Sequence, residues 1–69
     1  MTAETRAKRA GKAYAEANHI GFSIDFWEDQ LAKHLEADDL ASAELAKSEI
    51  KALKLKYSKA LAKYHRYAN

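Results

Sequence analysis

Ala43, Ala46, Ile50, Leu53, Tyr57, Ala60, Tyr64 and Tyr67 follow one another at steps of three and four residues without a miss. Such steps keep side chains on one stripe of an α-helix, and an apolar stripe this long must be covered by something. The spacing predicts one amphipathic helix over 39–67. Upstream, Ala3, Ala10, Ala17, Ile24 and Leu31 recur at every seventh position, with Ala13, Ile20 and Trp27 between them. Two striped helices in 69 residues predict an all-α fold. It is a long antiparallel helical hairpin in a single domain spanning 1–69, with helices over 3–36 and 39–67.

Composition narrows the alternatives. The chain has no Cys, so disulfides and thiolate metal sites are excluded, and a cytoplasmic protein is the default expectation. It has no Pro and only Gly11 and Gly21 as helix-weakening residues. No run of 18 apolar residues is present, so no membrane span is expected. The first residues, Met1-Thr2-Ala3-Glu4-Thr5-Arg6, lead directly into polar helical sequence and lack the apolar segment of a signal peptide.

Capping signals place the helix ends. Thr2 or Thr5 can cap the first helix, with Glu4 at the positive end of its dipole. The reverse turn falls at Leu35-Glu36-Ala37-Asp38-Asp39, where Asp38 or Asp39 can cap the second helix. The last helix is expected to fray at Tyr67-Ala68-Asn69. Gly21 allows two readings. A helix ending at Asn18–Gly21 restarts with Ser23 as N-cap and Phe22 and Trp27 as a hydrophobic staple, giving three helices. Alternatively one helix runs through Gly21, continuous or kinked. The heptad favours the second, because Ala17, Ile20, Ile24 and Trp27 stay in phase across the glycine.

Folding the chain back near residue 37 pairs positions whose numbers add to about 75. Ala10 then faces Tyr64, Ala17 faces Tyr57, Ile24 faces Ile50, and Trp27 faces Ala43 and Ala46. Large residues meet small ones along the seam, as interdigitation requires. The tyrosines are accounted for as seam residues with hydroxyls reaching water. Phe22 and Phe26 lie off this seam, as do Leu45, Ala52 and Leu55. A phenylalanine pair one turn apart asks for a cover: a second hairpin completing a four-helix bundle, another protein, or the chain itself bent at Gly21.

The net charge of +2 hides a strong asymmetry. Residues 51–69 carry Lys51, Lys54, Lys56, Lys59, Lys63 and Arg66 with no acid, and Arg6, Lys8, Arg9 and Lys12 join them at the other terminus. Asp25, Glu28, Asp29, Glu36, Asp38, Asp39, Glu44 and Glu49 crowd the middle of the chain. A hairpin therefore has a basic terminal end and an acidic turn end, a field that orients charged partners.

Enzymatic chemistry finds no support. Glu16-Ala17-Asn18-His19 has the Glu-x-x-His spacing of helical di-iron sites, but Lys56, Tyr57 and Lys59 stand opposite it instead of carboxylates. His34 fits a half-buried structural role near Leu31 and Leu35, in reach of Asp38. The serines lack a histidine–acid relay, and no glycine-rich phosphate loop or bound cofactor is implied. The expectation is a non-enzymatic helical binding protein: an inhibitor, adaptor or regulator of the accessory kind carried by phages and plasmids, self-associating as a homodimer. Phe22, Phe26, Trp27, Leu45 and Leu55 supply its apolar contact with a protein partner, and Asp25, Glu28 and Asp29 set its orientation. The alternative is an RNA- or DNA-binding hairpin dimer gripping phosphate through Lys56, Lys59, Lys63 and Arg66, with tyrosines among them for base stacking. In build alone, with no shared motif, the chain resembles the small plasmid copy-number proteins, whose hairpins dimerise and bind RNA. That resemblance bears on architecture and leaves function open.

Overall fold

A computed structural model describes residues 1–68. Two helices account for nearly all of them: α1, Ala3–Glu36, and α2, Leu40–Ala68. They pack antiparallel into a rod with extents of 53 × 14 × 12 Å. The rod is as long as α1 itself, since 34 residues at ~1.5 Å rise span about 51 Å. Asn69, where fraying was expected, lies outside the described residues.

The ends are capped from local sequence. Thr2 is extended and its hydroxyl oxygen accepts the Thr5 amide at 3.1 Å, satisfying one of the free donors of the first turn. At the other end of α1, the Asp38 amide donates to the Leu35 carbonyl at 3.1 Å and the Asp39 amide to the His34 carbonyl at 2.8 Å. That pair of bonds is the Schellman closure, which needs a left-handed residue at its centre. Asp38 takes that place with φ 60°. Glycine is the usual occupant, but aspartate tolerates this region better than most residues, which is how the chain turns without glycine or proline. Asp39 follows at once as the N-cap of α2, its carboxylate accepting the Ser42 amide at 3.2 Å.

Gly21 is neither a break nor a turn. Helix α1 passes through it, and the Ser23 hydroxyl donates back to the His19 carbonyl at 3.3 Å, a bond made only within a continuing helix. The three-helix alternative, with Ser23 as a cap and a Phe22–Trp27 staple, is therefore excluded. The reason is in the stripe: a turn at Gly21 would take Ala17 and Ile20 out of line with Ile24, and all three are buried together.

The core is the seam alone. Ala10, Ala13, Ala17, Ile20 and Ile24 of α1 are buried, with Ala43, Ala46, Ile50 and Ala60 of α2. Leu53, Tyr57 and Leu61 pack on the central cluster. Alanines on each helix admit larger residues from the other, which lets the backbones approach closely. The pairing is slipped by about two residues from that expected. Tyr14 meets Tyr64, Gly21 meets Tyr57, and Arg9 meets Tyr67. Ile24 accordingly clusters with Leu53 rather than sitting opposite Ile50. The cause is the turn: with Ala37 and Asp38 outside both helices and Asp39 as a cap, the chain reverses later than a fold-back at residue 37 assumes.

No large side chain is fully buried, and no polar one is buried at all, among the described residues. Full burial of an isoleucine contributes ~1.5–3 kcal/mol, and only three stand in this core. The hairpin is thus held by a narrow seam while much of its apolar surface stays outside.

Candidate functional site

Two surfaces carry the residues that the seam does not use. The first is the outer face of α1. Phe22 and Phe26 are 73% and 55% exposed, one helical turn apart and directed away from α2. The Phe26 ring stands edge-on to Trp27, with centroids 5.5 Å apart at 76°. Trp27 is half-buried at the edge of the seam, so it buttresses Phe26 from beneath rather than lying on the face with it. Asp25 and Asp29 are exposed beside Phe22, whereas Glu28, also exposed, lies about 160° around the helix from Phe26 and is not part of this face. Asp29 is engaged, its carboxylate 3.2 Å from the Lys33 ammonium on the next turn. Asn18, Gly21, Phe22, Asp25 and Tyr57 border a shallow open depression where this face meets the groove between the helices.

Leu45 and Leu55 do not join that face. Both are exposed, at 59% and 60%, but they belong to α2. Leu55 lies in a shallow depression made by α2 residues only, including Ser48, Lys51 and Ala52. It therefore faces outward on the side of the rod opposite Phe22. Leu45 and Leu55, ten positions apart, diverge by roughly 80° around the helix. The apolar residues grouped from sequence fall on separate surfaces, and only Phe22, Phe26 and the acids beside them form one continuous patch.

The second surface is the basic terminal end. The antiparallel fold brings Arg9, Lys12 and Glu16 of α1 alongside Lys63 and Tyr67 of α2 around an open depression. Lys56, Lys59 and Arg66 are exposed along the same flank of α2. Sequence spacing on one helix identified Lys63; Arg9 and Lys12 join it only through the fold-back. The tyrosines are committed elsewhere. Tyr64 packs on Tyr14 with centroids 5.6 Å apart and on His65 at 5.4 Å, and the Arg9 guanidinium lies 5.6 Å from the Tyr67 ring. Tyr64 and Tyr67 are half-buried at the seam as expected, but Tyr64 meets Tyr14 and not the Ala10 expected opposite it.

At the turn end, the Ser42 hydroxyl first and its backbone amide second hold the Asp39 carboxyl below the usual carboxylate range, with a further contribution from His34. His34 is half-buried, and its field reaches Asp39. Glu16 and His19 are both exposed, and among the described residues no three His, Cys, Asp or Glu side chains gather closely enough to hold a metal. None of the described helices is long and apolar enough to cross a membrane. Comparison with family models, with curated proteins and with solved structures gives no match.

Proposed function

We propose that this chain is a non-enzymatic helical binding protein that docks onto a protein partner, as an inhibitor, adaptor or regulator, through the outer face of α1. The observation that carries the reading is the exposure of Phe22 and Phe26 on a helix whose own core needs neither. Two aromatic rings held in water cost apolar hydration that contact with another protein relieves, and aromatic residues dominate the energetics of such contacts. Asp25 and Asp29 beside the rings supply the polar rim that orients an approaching surface. The shallow open depressions of the rod suit a protein surface better than a small substrate.

The test is the double variant Phe22→Ala/Phe26→Ala, read by circular dichroism and by capture of tagged protein from nuclease-treated lysate. Retained helicity with loss of a stoichiometric protein partner is the expected result. Loss of helicity shows that the rings are structural and refutes the reading.

A second reading rests on the cluster of Arg9, Lys12 and Lys63 beside Lys56, Lys59 and Arg66. It makes the terminal end a phosphate grip for RNA or DNA. Glu16 within the cluster weighs against it. It predicts affinity that falls with salt at about one log–log unit per phosphate contact.

A further inference from the structure

The groove between the helices at the terminal end holds a cluster that neither the seam nor the Phe22–Phe26 face uses. Arg9 and Lys12 of α1 and Lys63 of α2 line one open depression, with Ala13 and Tyr67 between them and Glu16 at its inner end. Arg9, Lys12 and Lys63 are exposed and have no ion-pair partner among the described residues. The Arg9 guanidinium lies 5.6 Å from the centre of the Tyr67 ring, a contact that reaches across the groove. A guanidinium held by its face keeps its N–H edge for an anion. Three cations against one carboxylate leave the lining with two positive charges in excess.

We infer that this depression receives a phosphate monoester, carried as a phosphorylated side chain by the protein partner. The inference rests on the reading of the chain as a protein-docking module. A phosphorylated side chain brings a charge of about −1.5 to −2 at pH 7 on three acceptor oxygens, which matches the excess charge and the three donors. A phosphodiester backbone brings one charge per phosphate, in a row. Such a row, running from Lys63 toward Lys59 and Lys56, has to pass Glu16. The depression is too open to enclose a free small molecule and suits a group presented by a larger partner.

The fold builds this site from opposite ends of the sequence, so only the closed hairpin presents it. It is also within reach of the docking face. Lys12 lies about 21 Å along α1 from Phe26 and about 40° around it, so a partner lying along the helix touches both. Glu16, which lowers the excess charge, gives the site a residue whose neutralisation strengthens binding.

The experiment is titration of the full chain, at one ionic strength, with a short phosphoserine peptide of otherwise uncharged residues. Its unphosphorylated twin and a trinucleotide without a terminal phosphate, which carries two phosphodiester charges, are titrated beside it. The phosphopeptide binds, the twin does not, and the trinucleotide binds roughly tenfold more weakly or not at all. Lys12→Gln and Lys63→Gln each weaken the phosphopeptide roughly threefold to tenfold, and Glu16→Gln tightens it. Lys59→Gln, on the same flank but outside the depression, leaves it nearly unchanged. All four positions are exposed, so circular dichroism should show the hairpin intact in each variant. A phosphopeptide that binds no better than its twin overturns the inference. Equal binding of the trinucleotide overturns it in favour of the second reading. A loss in Lys59→Gln as large as in Lys63→Gln overturns it in favour of diffuse charge. The docking reading fails by a different result, the unfolding of Phe22→Ala/Phe26→Ala, which these titrations do not involve.

Discussion

Replacing both glycines of α1 by alanine stabilises the hairpin, and the two sites do so for different reasons. Gly11 lies in open space within the helix, so Gly11→Ala gains only the lower conformational entropy of the unfolded chain and better helix propensity. That is about 0.5–1 kcal/mol. Gly21 is also within the helix, but a Cβ there stands 3.8 Å from Cε2 of Tyr57, an ordinary van der Waals contact. Gly21→Ala therefore adds packing to the same propensity gain, up to the ~0.8 kcal/mol of a buried methyl group. Together the substitutions are worth about 1.5–2.5 kcal/mol. For a domain of this size each kcal/mol moves the melting temperature by roughly 4–8 °C, so the double variant melts roughly 6–20 °C higher. The assay is thermal melting by circular dichroism at low micromolar concentration, where self-association contributes little. If Gly21→Ala lowers the midpoint while Gly11→Ala raises it, α1 is not continuous or not closely packed at Tyr57, and the argument for the seam is refuted.

The remaining predictions concern the seam and the turn. Ala46 has no exposed surface, and Ala46→Leu forces the helices apart at a cost of ~1–3 kcal/mol, seen as a lower urea midpoint; an unchanged midpoint contradicts the close approach. The Asp39 carboxyl has a folded pKa below its ordinary value of 3.8, so its stabilising effect is present above that value and lost as pH falls through the folded pKa. Wild type should therefore lose melting temperature on acidification below about pH 4 more steeply than Asp39→Asn, which keeps a capping oxygen without the charge. Parallel curves for the two proteins count against the Asp39–Ser42 cap.

Most of the fold is legible along the chain because a helix reports its buried face at a fixed spacing. The run from Ala43 to Tyr67 and the run from Ala10 to Leu31 name both helices and nearly all of the seam. Continuity through Gly21 follows from the same phase, since one glycine weakens a helix by about 1 kcal/mol and a buried stripe outweighs that. The candidate surface is less legible. Phase alone shows that Phe22 and Phe26 lie off the seam. It also shows the same of Leu55, and that shared property groups residues which the rod holds on opposite sides. Arg9 and Lys12 reach Lys63 only because the chain reverses on itself.

The sequence by itself determines the helices, narrows their caps and the turn to a few residues, and separates the basic from the acidic end. All of these depend on interactions within a few residues or on a strict repeat. The tertiary structure alone decides the register between the helices. A heptad stripe of alanines and larger residues accepts several sliding positions of similar quality. The choice among them is made by the geometry of one turn, in which Asp38 occupies a left-handed conformation and Asp39 both closes α1 and caps α2. That slip of about two residues sets Tyr57 against Gly21 and Tyr64 against Tyr14. It leaves the outer face of α1, with its two exposed rings, outside the seam.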